Sequence, residues 1–404
     1  MNLKSIIRSE NILSIYLFAF LIPLNPKWYG FAILLLGLEL LVKYRNFSKI
    51  ELMDKLRWNN PMIYTVGFFI AHLIGMLYTT NTSFGWMDVG MKASFIILPI
   101  LLMVFPARFS WETFFSVFIL GVLFSVLINS YITYSSYLDH GKWWMLKDKY
   151  LSNFIHRSYW SAYINIGLVF IFHKFLKGNN IQKIALLFLM MMFITMVLLL
   201  GSKIMILATG LILLFLFIRF ILVSRKTMLG LLVLIMGLSV GVFVIWKNPN
   251  LTERFTKMFE TVKGNNEYDR TKLDSNHSRV IMWSTSLELI SENPFLGVGT
   301  GDIKDALRER NYEKGNVGVA DANFNAHNQF LNTQLALGIL GSFFLFGMLI
   351  SPFFQASFRD SFYVSKALII LLFFISMTVE SYLEIQAGII PFAFFVSLFG
   401  LKEK

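Results

Sequence analysis

The sequence predicts an all-α polytopic membrane protein with about twelve transmembrane helices and one large helical loop between the ninth and the tenth. The first observation is composition: of 404 residues, 56% are hydrophobic, 15% are charged and 42 are phenylalanine. The second is that several apolar runs approach the roughly 20 residues that cross a bilayer. Because backbone amides inside lipid need partners within their own segment, such runs form helices.

The apolar runs place the predicted helices in order along the chain. The first two are short, and the last two, also short, are separated by a polar break from Glu380 to Gly388. The domain boundaries that follow are 1–246 for helices one to nine, 247–327 for the loop and 328–404 for the last three helices. The helices themselves are predicted at residues 11–25, 28–44, 61–79, 86–105, 112–138, 158–176, 183–201, 203–222, 227–246, 328–350, 365–383 and 387–401.

The basic residues orient the chain, because short cytoplasmic loops carry an excess of Lys and Arg. With the N-terminus inside, most basic residues of the short loops fall inside and the long loop falls outside. The opening MNLKSIIRSE precedes an apolar run without a small-residue cleavage site, which predicts a retained first helix. One outer cluster departs from the rule, so either the topology differs there or its charges have a function outside: Lys142, Lys147, Lys149 and Arg157.

Composition and motifs also exclude several functions. The net charge of +12 does not indicate a nucleic-acid partner, because the positive charge lies mainly in the short loops. The chain has no cysteine, hence no disulfide, thiolate zinc site or thiol nucleophile. It has no HExxH, no GxSxG and no acidic cluster at metal-ligand spacing. Asp302 and Asp305 are more simply acids at a helix start. We therefore expect neither a metal nor a cofactor.

The second half of the long loop predicts two helices at the membrane surface, joined by a glycine turn. The first begins near Ser278 and ends at Asn293–Pro294. The following GVGTGD resembles a phosphate loop, but without a preceding strand or a Lys-Ser/Thr pair it favours a turn. DIKDALRERNYEK predicts the second helix, with acids first and bases later. Four residues at steps of three and four predict one apolar stripe on the first helix: Val280, Trp283, Leu287 and Ile290.

A histidine and an arginine stand where this loop meets the apolar helices. His327–Asn328 opens the tenth helix, and one interpretation is a polar cap, since Asn is a good N-cap residue. The other is that His327 is a general base, since neutral imidazole can take a proton from a sugar hydroxyl. Arg279 is either a solvated loop arginine or the ligand of a diphosphate leaving group, whose charge a guanidinium neutralises.

Two further basic residues lie at helix ends predicted to face outside. Arg157, beside His156 and Tyr159, is either a snorkelling arginine or a phosphate contact. Lys203 follows two apolar runs separated by Gly201 and Ser202, so it is either an interfacial residue or a charge with an anionic partner. That partner would be a phosphate or Glu380.

Acids interrupt the last apolar stretch at its outer end. Glu380, Glu384 and Gln386 bind sugar hydroxyls, pair with Arg157 or Lys203, or mark a turn, and the sequence does not choose among these. Charged residues deep inside the predicted helices are few, and Lys92 is an exception.

The long loop and the helix after it resemble one known family. The run R-x3-W-x8-ENPFLGVGTG followed by AHNQFLNTQLALGILG resembles the signature of the O-antigen ligase and polymerase superfamily. The resemblance covers about 60 residues directly, and the rest agrees in architecture, with a large outer loop before the tenth helix. These are bacterial inner-membrane proteins that act on polyprenyl-diphosphate-linked glycans.

The resemblance implies a GT-C-like membrane fold and transfer of a glycan from undecaprenyl diphosphate to an acceptor hydroxyl, without metal, in the periplasm. It implies His327 as the base and Arg279 as a diphosphate ligand, with Arg157 as a weaker match. The family's Ser-Arg corresponds to Ser202–Lys203, where lysine keeps the charge but loses the bidentate fork. Asn328, Tyr159 and Glu380 are further candidates for substrate contact.

The sequence favours an inverting ligase that uses a lipid A core acceptor, with membrane lipids as its surroundings. A polymerase of the same superfamily differs only in acceptor, so the sequence does not separate the two. A twelve-helix transporter is the alternative from another class, although no internal repeat is visible and the long loop does not divide the chain into halves. A structural scaffold would not need the Arg and His arrangement. Sugar, linkage, acceptor, oligomeric state and envelope type stay undetermined.

Overall fold

The computed structural model describes residues 12–43, 57–104, 109–224, 275–355 and 362–401, and within these ranges the chain is helical. The predicted ninth helix at 227–246, the first part of the long loop and the first eleven residues lie outside the described residues. The α-helices are α1 Leu13–Leu21, α2 Tyr29–Lys43, α3 Pro61–Gly75, α4 Thr82–Met91, α5 Ser94–Val104, α6 Trp111–His140, α7 Arg157–Lys177, α8 Asn180–Leu200, α9 Lys203–Ser224, α10 Ser275–Glu292, α11 Ile303–Glu313, α12 Val317–Asp321, α13 Gln329–Gln355, α14 Tyr363–Val379 and α15 Gln386–Phe399.

These helices form two compact units that interleave along the chain. The first unit contains α1, α2, α6 to α9 and the start of α14, and the second contains α3 to α5, α10 to α13, the end of α14 and α15. The predicted division at residues 246 and 327 follows chain order and stays a prediction.

The first unit is built around α7. Its side chains from Ser158 to His173 are all buried, so this helix has no exposed face over that stretch. A phenylalanine cluster packs one side, with the rings of Phe115 and Phe170 stacked 3.9 Å apart. One polar pair lies inside, where the Thr209 hydroxyl donates to the Asn165 amide oxygen at 2.8 Å. Paired polar groups of this kind carry little desolvation cost.

The second unit places the surface helices on α13. Apolar side chains of α10, α11 and α12 form a shared core with the first half of α13, and these include Met282, Leu289, Leu307, Val319 and Leu335. The last helix, α15, is buried from Ala387 to Phe399. The described part of the long loop is therefore folded and packed, and it contains two helices and a turn where they were predicted.

The predicted membrane spans agree with the helices in place but not in every detail. Five described helical stretches are long and apolar enough to cross a membrane, and the total of about twelve stays a prediction. The stretch predicted as one helix at 86–105 contains a turn at Lys92, between α4 and α5, and it lies within one of these five stretches. The five stretches are Thr82–Met103, Trp111–His140, Asn180–Leu200, Lys203–Ile221 and Gln329–Phe354, and shorter apolar helices are Pro61–Gly75, Tyr363–Val379 and Gln386–Phe399.

The four residues of the apolar stripe predicted on α10 differ in exposure, and Ile290 packs against the core of the second unit. Val280 and Leu287 are 46% and 57% exposed, whereas Met282 and Leu289 are buried. The buried face carries small and polar groups as well, because α10 packs closely against α11 and hydrogen-bonds it through Thr285. An apolar period identifies a face, but in a chain rich in exposed apolar side chains it does not identify which face is packed.

Candidate functional site

His327 occupies a strained backbone position immediately before α13. Its φ is +49°, in the left-handed region that non-glycine residues seldom adopt. Its backbone N–H donates to the Asn325 side chain at 3.1 Å, and its carbonyl accepts from the Trp283 indole at 3.4 Å. The imidazole lies 5.0 Å from the Phe324 ring and is 24% exposed. Strain of this kind is held by its surroundings and clusters at functional sites.

Asn328, the next residue, caps α13. Its side-chain oxygen accepts from the backbone N–H groups of Phe330 and Leu331 at 2.9 and 3.1 Å. Its side-chain nitrogen donates to the Thr378 carbonyl at 3.0 Å. The cap interpretation of this residue is therefore confirmed, and it ties the start of α13 to the end of α14.

Arg279 reaches the same end of α14 from α10. Its Nε donates to the Val379 carbonyl at 3.2 Å, and its Nη2 lies 3.1 Å from Glu380 Oε1. The last carbonyls of a helix lack partners within the helix, so Arg279 satisfies one of them while it pairs with the acid that follows. The guanidinium stays 27% exposed.

Glu380 brings the predicted base and the predicted cation together. While one carboxylate oxygen pairs with Arg279, the other lies 3.8 Å from His327 Nδ1. At this distance the carboxylate lies beside the imidazole without a direct hydrogen bond to it. The three side chains are 18–27% exposed, so the group is neither sealed nor fully solvated.

A buried charge network lies beneath this group and was not recognised from the sequence. Lys92, at the end of α4, is 1% exposed and contacts Asp88 at 2.5 Å and Glu384 at 3.1 Å. The other oxygen of Glu384 accepts from Asn332 at 3.0 Å, and Asn332 in turn accepts from the Ala326 backbone N–H at 3.4 Å. Burial raises the pKa of the Glu384 carboxyl, and the Lys92 ammonium opposes that rise.

This network holds both sides of the candidate site. Glu384 follows Glu380 by one turn of chain, and Ala326 precedes His327. A second contact, from the Leu383 N–H to the Gln329 side chain at 2.7 Å, joins the same two segments. The signal in the sequence was Lys92 itself, a charge inside an apolar run, but its partner Glu384 lies 292 residues away along the chain.

The glycine-rich turn and the L-G-x-x-G of α13 form one joint. Gly338 breaks α13 with φ +60° and ψ −148°, which frees the carbonyls one turn earlier. The turn satisfies two of them, because Val298 N–H donates to Leu335 O at 2.8 Å and Gly299 N–H donates to Ala336 O at 3.0 Å. The Phe295 carbonyl of the turn in return accepts from the Ile339 N–H at 3.2 Å. The predicted turn between two helices is confirmed, and the two halves of the signature are seen to interlock.

Arg157 and Lys203 lie in the first unit, each at the first residue of a helix. Gly201, with φ +61°, ends α8, and the turn it makes starts α9 at Lys203. The Ser202 hydroxyl lies 3.4 Å from that of Ser158, so the starts of α7 and α9 are adjacent. Helix N-termini favour anions, which adds to the two cations. Arg157 also lies 3.3 Å from Asp148, which offsets part of its charge.

Tyr159, the remaining predicted contact, is buried, with its ring 6.2 Å from that of His156. The predicted set thus falls into two groups. Glu380, Asn328, Arg279 and His327 come together in the second unit, and Arg157, Tyr159 and Lys203 lie in the first. Among the described residues, no group of three or more His, Cys, Asp or Glu side chains could hold a metal ion.

The fold and the site define a helical membrane-protein class with a histidine, an arginine and a glutamate at a shared helix boundary. Residues 185–346 match the family model described as O-antigen ligase. The match confirms the resemblance to this superfamily, whose members are membrane glycosyltransferase-like enzymes. It runs from α8 into α13 and includes Lys203, Arg279 and His327, but not Arg157 or Glu380. No curated protein matches the chain.

Proposed function

We propose that this protein is an O-antigen ligase-like glycosyltransferase, which moves a glycan from undecaprenyl diphosphate to an acceptor hydroxyl on the periplasmic face of the bacterial inner membrane. The acceptor that we propose is a lipid A core. The observation that carries the proposal is the carboxylate of Glu380, which lies beside both His327 and Arg279. The family match over the segment that holds these two residues supports it.

In the proposed reaction, His327 removes the proton of the acceptor hydroxyl as its oxygen attacks the anomeric carbon of the donor. The bond from that carbon to the diphosphate oxygen breaks, and the polyprenyl diphosphate leaves with the electron pair. A single displacement inverts the anomeric centre. Glu380 stabilises the imidazolium, and Arg279 neutralises charge that develops on the leaving diphosphate.

Arg157 and Lys203 are proposed as further diphosphate ligands. Both are cations at the first residue of a helix, where backbone N–H groups and the helix dipole also favour phosphate. Lysine binds as a point charge rather than as a fork, so we expect Lys203 to contribute less to orientation than Arg279.

The test of the base is His327→Asn in proteoliposomes with a lipid-linked glycan donor. Asparagine tolerates a left-handed backbone, so this variant removes the imidazole without the strain that alanine would meet. We expect turnover to fall about 10²–10⁴-fold with donor binding retained. His140→Asn, at the exposed end of α6, is the matched control. Near-normal turnover of His327→Asn would remove this residue from the mechanism.

The test of the cation is Arg279→Lys beside Arg279→Gln. Lysine keeps the charge but not the fork, so we expect an intermediate loss with lysine and a larger one with glutamine. Because Arg279 also holds the end of α14, thermal unfolding of both variants separates lost folding from lost chemistry. Equal activity of the two variants, both folded, would show that the charge is not used.

The same assay separates the alternatives. A ligase joins the donor glycan to a lipid A core, whereas a polymerase lengthens a lipid-linked glycan, so product size distinguishes them. Substrate flux across the proteoliposome membrane without any glycan transfer would instead support a transporter.

A further inference from the structure

A short segment after α6 folds back along that helix and forms a hook, which we define as residues 141–153. Gly141 ends α6 in the left-handed conformation, and two short 3-10 helices follow, Trp143–Leu146 and Asp148–Leu151. The Thr133 hydroxyl contacts the Tyr150 carbonyl at 3.3 Å. The Asn153 N–H then donates to the Asn129 side chain at 2.9 Å. Through these contacts the hook runs back alongside α6 for two to three helical turns.

The surface of α6 below the hook changes character along its length. One face has exposed side chains at steps of three and four, which is one continuous helical stripe. It is aliphatic and phenylalanine first, then tyrosine, and the tyrosines lie in the turns beside the hook. Its members are Leu120, Phe124, Leu127, Tyr131, Tyr134 and Leu138, all between 48% and 72% exposed. Tyr and Trp mark the membrane–water interface in this way.

The length of α6 sets the depth of the hook. Thirty residues span about 45 Å, which is more than the roughly 30 Å hydrocarbon core and close to the whole bilayer. The end of α6 therefore extends into the headgroup layer. The hook runs from the end of α6 back to Asn129, and its lysines precede Tyr150, which contacts Thr133. The lysines therefore lie beside the last two turns, about 10 Å at 1.5 Å per residue, at the level of the lipid headgroups.

The hook presents aromatic rings and lysines together. Trp143 is 65% exposed, and the ammonium of Lys147 lies 4.4 Å from its ring centroid. Lys142 lies over Trp144 at 5.7 Å and Lys149 over Tyr150 at 5.4 Å. The acid within the hook, Asp148, pairs with Arg157. Exposed aromatic rings with attached cations match an anionic group that lies at the interface.

We propose that the hook is a binding surface for the headgroups of anionic phospholipids. This partner accounts for the basic cluster that departs from the charge rule of membrane topology, because here the lysines bind lipid phosphate. The exposed stripe of α6 leads directly to the hook, and this apolar surface favours a phospholipid over a soluble acidic glycan. The hook contacts one proposed diphosphate ligand, Arg157, through Asp148. Its lysines and tryptophans are not among the residues proposed for glycan transfer, so lipid binding is tested apart from that function.

The experiment uses the full chain in nanodiscs of phosphatidylcholine with a minor fraction of one brominated lipid, either phosphatidylglycerol or phosphatidylcholine. Bromine quenches tryptophan on contact, and a Trp143→Phe/Trp144→Phe variant supplies the background from the other tryptophans. We expect stronger quenching by brominated phosphatidylglycerol. Each lysine near the surface contributes about 1 kcal/mol, or roughly fivefold enrichment, so the preference should be well above fivefold.

Replacing Lys142, Lys147 and Lys149 together by Gln should abolish the preference while both tryptophans remain. The matched control is Lys174→Gln/Lys177→Gln/Lys183→Gln, which removes as many charges around the opposite end of α7 and should leave the preference intact. Equal quenching by the two lipids in the unchanged protein would overturn the proposal. So would a preference that survives the triple substitution at the hook, or quenching that responds only to an added acidic oligosaccharide.

Discussion

Lys92→Met is the substitution with the largest predicted effect on stability. Methionine keeps the length and apolar stem of lysine but removes the ammonium that lies between Asp88 and Glu384. Breaking a buried ion pair by removing one partner costs about 3–5 kcal/mol, because the other charge stays buried and unpaired. The cost of protonating a carboxyl gives a free energy of the same size. Keeping one ordinary glutamate protonated at pH 7 costs about 3.7 kcal/mol, at 1.36 kcal/mol per pH unit.

The assay is thermal unfolding of the purified protein in detergent. Unfolding entropies near 2.1 cal/mol/K per residue convert this cost into a fall of about 4–6 °C in Tm for a chain of this size. Lys177→Met is the matched control, since it breaks a contact of 2.6 Å with Glu112 in which both side chains are about half exposed. Exposed pairs contribute about 0.2–1 kcal/mol, so this variant should lose roughly 1 °C or less.

Two further measurements test whether buried, unpaired charge causes the loss of stability, whatever the size of that loss. The triple variant Asp88→Asn/Lys92→Met/Glu384→Gln carries no buried charge and should recover most of the loss. The deficit of Lys92→Met should also shrink as pH falls from 8 to 5, because the stranded carboxyls are then neutralised at less cost. Equal falls in Tm for Lys92→Met and Lys177→Met would refute the idea that burial makes the first pair different.

The joint at Gly338 and the charges of the surface helices give two more predictions. Gly338→Ala should lose at least about 1–3 kcal/mol of stability in thermal unfolding, because φ is +60° and a Cβ would meet the Phe295 carbonyl. Gly30→Ala is the control and should lose none, because a Cβ there meets open space. Hydrogen bonds from Lys314 and Arg310 lower the pKa of Glu288, so its stabilising contribution is complete above the ordinary carboxyl pKa and is lost as pH falls through the lowered value. Hydrogen exchange of α10 and α11, corrected for intrinsic rates, should therefore rise in acid, and an unchanged acid response in Glu288→Gln would contradict this.

The helices were largely predictable because lipid leaves the backbone few alternatives. The sixth helix, predicted at 158–176, is observed at Arg157–Lys177, and the turn at Gly201 follows directly from glycine between two apolar runs. The buried face of α10 was not predictable in the same way, since Val280 and Leu287 are exposed and the packed face holds Met282 among polar groups. Apolar periodicity specifies a helix and its faces, but the partner of each face depends on tertiary contacts.

The residues of the candidate site were predictable from the sequence, but the side chains that hold them in place were not. His327 and Arg279 were identified by residue type at a helix boundary, and both lie beside Glu380. Asn332 and Gln329 were missed, because nothing in the sequence indicates that amide side chains one turn into a helix bind the segment after α14. Their partners are more than 50 residues away, so only the fold reveals the contact.

Glu380 and Glu384 show why residue type alone does not assign a role. They are separated by a single turn of chain, yet one lies at a partly exposed boundary with Arg279 and His327, while the other is fixed to buried Lys92. For the proposed role of His327 as a base, the carboxylate beside it needs a rigid attachment, because a shift of about 1 Å at a reacting group can cost about 10²-fold in rate. The buried pair supplies that attachment through the three residues between the two glutamates. It follows that a charged residue inside an apolar run is best interpreted through the surface segment to which it is bonded.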